Sequence, residues 1–117
     1  MERKIKFRAW DKENKEWSEY FLGVDKDGKP LFDGGDDLYP DVVVNCSTGL
    51  KDRNGKEIYE GDIVKNNDII WELYWSDGCY KMAKNGVKTD NDHLFIDEAQ
   101  HSEVIGNIYE NGDLLNS

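Results

Sequence analysis

The run Ile69-Ile70-Trp71-Glu72-Leu73-Tyr74-Trp75-Ser76 restricts the fold more than any other stretch. Ile69, Trp71, Leu73 and Trp75 point one way along it, and Ile70, Glu72, Tyr74 and Ser76 point the other. Successive side chains of a strand face opposite sides, so this period of two reads as a long amphipathic β-strand. Asp77-Gly78 follows, a dipeptide that accepts positive φ at little cost, and Cys79-Tyr80-Lys81-Met82 resumes the strand pattern. The sequence therefore predicts a β-hairpin. Asp27-Gly28, Asn54-Gly55, Asn85-Gly86 and Asn111-Gly112 offer the same turn chemistry elsewhere.

Between these turns the strand pattern recurs. Ile5, Phe7 and Ala9 alternate with Lys4, Lys6 and Arg8. Val24 and Leu31-Phe32 flank a turn, with Pro30 at its exit or on an edge. Asp41-Val42-Val43-Val44 is β-branched, and Glu103 to Tyr109 reads as a strand interrupted at Gly106. Helix signals are scarce. Asp92 to Ala99 fits two helical turns with Asp92 as N-cap, or else a loop, and Asp113-Leu114-Leu115 fits a single turn. The expectation is one mainly β domain with at most short helical turns.

The stretch TGLKDRNGKEIYEGDIVK, Thr48 to Lys65, is crowded with charge. Its residue types favour a solvated turn over an active loop. Asn54-Gly55 turns the chain, Glu57-Ile58-Tyr59 returns as a short strand, and Gly61 sits where a bulge or barrel corner would exclude a side chain. Ile63-Val64 then opens the next strand.

Charge narrows the partners. The 117 residues carry a net charge of -10. It divides as +1 over residues 1–30, -4 over 31–50, 0 over 51–65 and -7 over 66–117. Duplex binding needs Lys and Arg against phosphates, and the only basic excess is Arg3, Lys4, Lys6 and Arg8. Direct nucleic-acid binding is disfavoured. No apolar run approaches the roughly 20 residues of a membrane span. MERKIKFRAW lacks the apolar core of a secretory signal, and Cys46 and Cys79 fit no metal spacing, so reduced cytosolic thiols are expected.

Candidate chemistry is weak. Asp90, Asp92, His93, Asp97, Glu98 and His101 cluster in sequence. Counted from Asp90, however, an EF-hand loop would need Gly where Phe95 stands and Glu where His101 stands. DGGDD, with Asp36 and Asp37, reads as an acidic surface loop, as do Asp90, Asp92, Asp97 and Glu98. Cys46 or Cys79 with His93 or His101 matches no nucleophile motif, and the phosphate-binding glycine loops are absent. The expectation is no enzyme, no metal and no cofactor. The aromatics are more informative, with four Trp and six Tyr in a small chain. Trp71 and Trp75 share a face and are expected in the core. Trp10 and Trp17, flanking DKENKE, together with Tyr59 are the candidates for a partner-binding groove or subunit contact.

Three blocks, FRAWDKENKEW (Phe7–Trp17), TGLKDRNGKEIYEGDIVK (Thr48–Lys65) and EVIGNIYEN (Glu103–Asn111), resemble the YopX protein family of phages and prophages. The family commonly has Pro where this chain has Gly112. The resemblance implies a small SH3-like barrel, residues 48–117, with an N-terminal β extension, residues 1–47. It also implies an origin in the cytoplasm of a bacterial host cell. It supplies no catalytic residue to carry over. The function expected from these features is a non-enzymatic, homo-oligomeric protein-interaction module with an unidentified protein partner, of host origin or otherwise. The alternative is a nucleic-acid-related role. The acids Asp36, Asp37, Asp90, Asp92, Asp97 and Glu98 would mimic DNA phosphates toward a host DNA-binding protein, or the Arg3–Arg8 strand with Trp10 would bind single strands weakly.

Overall fold

The computed structural model describes residues 6–27, 29–33, 41–76, 78–90, 92–94 and 96–116. Two compact units divide the chain, Met1–Cys46 and Ser47–Ser117, and the boundary falls inside one strand, β5 (Val42–Lys51).

In the first unit, β1 (Phe7–Asp11) pairs antiparallel with β2 (Glu16–Trp17) and with the leading half of β5. The β1–β2 turn is tied by Asp11. This buried carboxylate accepts the Glu13 and Asn14 backbone N–H groups at 3.0 and 3.1 Å and the Asn14 amide at 2.9 Å. Those bonds, led by the Asn14 pair, hold the Asp11 pKa below its ordinary 3.8. A second hairpin joins β3 (Phe21–Val24) to β4 (Pro30–Phe32), with Phe21 edge-on to Phe32 at 6.1 Å. Pro30 opens its strand, a position where its missing N–H does no harm. Ala9, Trp10 and Phe32 are buried.

In the second unit, β6 (Glu57–Tyr59) pairs with the trailing half of β5. A four-stranded antiparallel sheet, curled as a half-barrel, runs in the order β10 (Glu103–Asn107), β7 (Asp62–Asn66), β8 (Ile69–Ser76), β9 (Cys79–Lys84). A short helix, α1 (Ile96–Gln100), precedes β10, and a 3-10 turn, Gly112–Asn116, follows it. Ile58, Val64, Leu73, Met82 and Ala99 form the core, with Leu50, Trp71, Leu94 and Val104 packed against it. A fully buried side chain of this kind contributes roughly 1.5–3 kcal/mol.

The charged Thr48–Lys65 stretch is the unit's clamp. Asp52 is buried and accepts three backbone N–H groups: Asn54 at 2.9 Å, Lys56 at 2.8 Å and Val104, across in β10, at 2.9 Å. Thr48 Oγ1 donates to the Ile58 carbonyl at 2.7 Å, and the Tyr59 N–H donates to the buried Asp62 at 2.8 Å. Gly61 has φ +86°, its N–H donates to the Leu73 carbonyl at 2.7 Å, and its carbonyl accepts the Ile108 N–H at 2.8 Å. The EVIGNIYEN block answers from the other side. Asn107 accepts the Tyr109 and Glu110 N–H groups at 3.0 and 2.9 Å. A Cβ on Gly106 would stand 2.5 Å from Asn111 Oδ1.

The mainly β architecture predicted from the alternation is therefore what the chain adopts, with β8 and β9 where the pattern puts them. The strand pairings among the described residues stop at the half-barrel and do not close an SH3-like ring. Two local expectations are corrected, and one hairpin turn lies where the sequence analysis placed none. Asp92 does not cap a helix: α1 starts at Ile96, and the Asp92 carboxylate is taken by Tyr74 and Thr89. Asn111-Gly112 is no hairpin turn, because Asn111 folds its side chain back to the Asn107 N–H and Gly112 opens the 3-10 turn. The β7–β8 hairpin turns instead on Asn67-Asp68, at φ +51° and +66°, the two positive values of a type I′ turn.

Candidate interaction surface

Trp75 lies directly opposite Tyr80 across β8 and β9. The rings meet edge-to-face with centroids 4.8 Å apart and planes at 77°. The face they share carries Leu73 and Met82, both fully buried. Two residues further along β8 the strand has run past the core, and Trp75 is 52% exposed. Its position is nevertheless fixed. The Tyr80 hydroxyl donates to the Ser47 carbonyl at 3.1 Å, and both rings stand on paired strands. A large amphipathic ring held on a rigid element loses little rotamer freedom when a partner covers it, and such rings dominate binding energy at interfaces.

The structure distributes the sequence candidates differently. Trp10 is only 6% exposed and packs edge-to-face on Trp17 at 5.0 Å. Trp17 is half-buried and carries the Arg8 guanidinium over its ring, 4.2 Å from the centroid. Arg8 Nε in turn donates to the buried Asn45 at 3.2 Å. These aromatics form an internal stack of the first unit. Tyr59 is half-buried in the second unit, on the strand that Asp62 clamps. Trp75, expected in the core, is instead an aromatic that the surface of the second unit presents, as Tyr20, 53% exposed, is in the first. The signal for Trp75 in the sequence was position: it is the last ring before the turn at Gly78, where a strand leaves the sheet's packed centre.

Among the acids, Asp36 and Asp37 lie outside the described residues. Asp90 is exposed and lines a shallow groove of about 360 Å³ with Tyr74, Ser76, Lys81, Lys88 and Thr89. Asp97, exposed, and Glu98, half-buried, line another of about 510 Å³ with Arg53, Asn66, Asn67 and His101. His101 Nδ1 lies 2.7 Å from the Asp97 carbonyl. Asp92 is a structural acceptor, bonded by the Tyr74 hydroxyl at 2.5 Å and by Thr89 N and Oγ1 at 3.0 and 2.8 Å. The Tyr74 bond is the first cause of a pKa below 3.8; partial burial opposes it, and the Thr89 bonds and Lys81 assist.

Among the described residues, no three His, Cys, Asp or Glu side chains gather closely enough to hold a metal ion. Cys46 is half-buried and Cys79 exposed. Among the same residues no helix is long and apolar enough to cross a membrane.

The YopX protein family matches residues 6–116. The chain belongs to the YopX family. The crystal structure of protein EF1440 from Enterococcus faecalis is similar to this YopX chain, with a TM-score of 0.63 and 29% identity, covering 95% of this chain and 97% of that one. No curated protein matches the chain. Family membership joins the three sequence blocks to a structural cause. The middle block and the last are the two sides of the clamp around Asp52 and Gly61, and the first block holds Asp11 and the Trp10–Trp17 stack.

Proposed function

We propose that this YopX family chain is a non-enzymatic protein-interaction module that binds its partner through the Trp75–Tyr80 surface. Its setting is the one the family resemblance implies, a phage or prophage product in the cytoplasm of a bacterial host, acting as a homo-oligomer. The observation that supports the reading is the exposure of Trp75 on a rigid hairpin, against the interior placement of Trp10. An exposed Trp anchored by a neighbouring ring is the residue type that most often carries an interface.

The experiment compares immobilised wild-type protein with Trp75→Ala as bait in lysates of several bacterial hosts. The wild type should retain a protein that Trp75→Ala loses, while both show the same far-ultraviolet dichroism. Retention that is indifferent to Trp75, or no retention from any host, defeats the reading. The mimicry alternative gains no support from the grooves. Asp97 and Glu98 share theirs with Arg53, and Asp90 shares its own with Lys81 and Lys88. A phosphate-like stripe needs acids unbroken by cations.

A further inference from the structure

β9 is the last strand in the sheet order, so its outer side would present unpaired backbone groups. The chain beyond β9 returns to that side and is tied to it at Met82, whose N–H donates to the His93 carbonyl at 3.0 Å. What holds the segment there is anchored on β8. Lys88 Nζ pairs with the buried Glu72 at 3.1 Å and stands 5.1 Å over the Tyr74 ring, and the Tyr74 hydroxyl holds Asp92. Thr89 closes the loop onto the same carboxylate. The attachments are polar, Val87 is 66% exposed, and Lys88 and Thr89 are exposed.

We propose that the segment carrying Lys88, Thr89, Asp92 and His93 is a strap that opens as a unit, ahead of the sheet, and uncovers the outer edge of β9. Segments held by a few polar contacts, with little apolar burial of their own, open at lower free energy than the ladders beside them. The two latches on β8, the Tyr74 hydroxyl and Glu72, can be altered without touching the β8–β9 hydrogen bonds. When the strap is open, the Met82 N–H becomes available to an added strand, one of the recurring ways an uncovered edge is used.

Native-state hydrogen exchange on the full chain tests this, comparing wild type with the double variant Tyr74→Phe and Lys88→Met. The Met82 amide should exchange about tenfold faster or more in the variant, with the amides of β7 and the inner side of β8 unchanged. An unchanged Met82 rate would show that the latches do not hold the strap. A rate that rises in step with the β7 and β8 amides would show that strap and sheet open together. Either result overturns the proposal. The single variant Lys88→Met, which leaves the tyrosine latch in place, should fall between wild type and the double variant.

Discussion

At the scale of single residues, buried carboxylates do structural work that their charge disguises in the sequence. Burial pushes the Asp52 carboxyl up, but N–H groups from Val104, Lys56 and Asn54, with the Lys56 charge, outweigh it and leave the pKa below 3.8. Replacing Asp52 with Ala orphans three backbone donors and should cost about 3 kcal/mol at pH 7, read from urea unfolding. The pH dependence follows from the direction of the shift. A carboxyl depressed in the folded state stabilises fully above its unfolded value, about 3.9, and that contribution drains away as pH falls through the lower native value. Asp52→Asn should therefore lie below wild type at pH 7 and approach it by pH 3; a gap that stays constant would refute the assignment. Trp75 is the opposite kind of residue. Half exposed and at the end of the core, it should tolerate Trp75→Ala at a cost of about 1 kcal/mol, whereas Trp10→Ala should cost about 3–5 kcal/mol.

At the scale of elements, two glycines decide whether the clamp closes. Gly61 at φ +86° joins β6 to β7, and Gly61→Ala should cost about 1–2 kcal/mol through backbone strain alone. Gly106→Ala should cost about 2–3 kcal/mol, because its Cβ would stand 2.9 Å from Asn111 Cβ, an atom that no rotamer change can move away. Thermal melts should show both, with Gly106→Ala lower by roughly 10 °C or more. The strands were legible because alternation along β8 and the break at Gly106 are local patterns. The misses were non-local or chemically disguised. Asn67-Asp68 has no glycine to advertise its I′ turn, and Asp92 stands where a cap would, yet its partner Tyr74 lies 18 residues back. Trp75 follows the core's period without reaching the core, since periodicity reports which face a side chain takes and says nothing of where the packing ends. The surface proposed here was therefore legible as a set of aromatics, but the choice among them needed burial.

At the scale of the whole molecule, the charge of -10 was readable from composition, while its consequence depends on how repulsion among the acids compares with the ion pairs. Two described ion pairs, Lys12–Asp41 at 3.4 Å and Arg53–Glu103 at 3.2 Å, are solvent-exposed and contribute at most about 1 kcal/mol each. Lys88–Glu72 has one buried member and is screened less. Against these stand 25 acids and 15 bases. The dominant long-range force is then mutual repulsion among carboxylates, which disfavours the compact state. Salt shortens the reach of that repulsion from about 30 Å at 0.01 M to about 8 Å at 0.15 M, while adjacent pairs lose little. Raising sodium chloride from about 0.01 to 0.15 M should thus raise the melting temperature by a few degrees. The same salt should also strengthen any self-association, visible as a larger mass in light scattering. A melting temperature that falls instead would mean that ion pairs outweigh the repulsion, and that the acidic exterior is organised as a network of attractions.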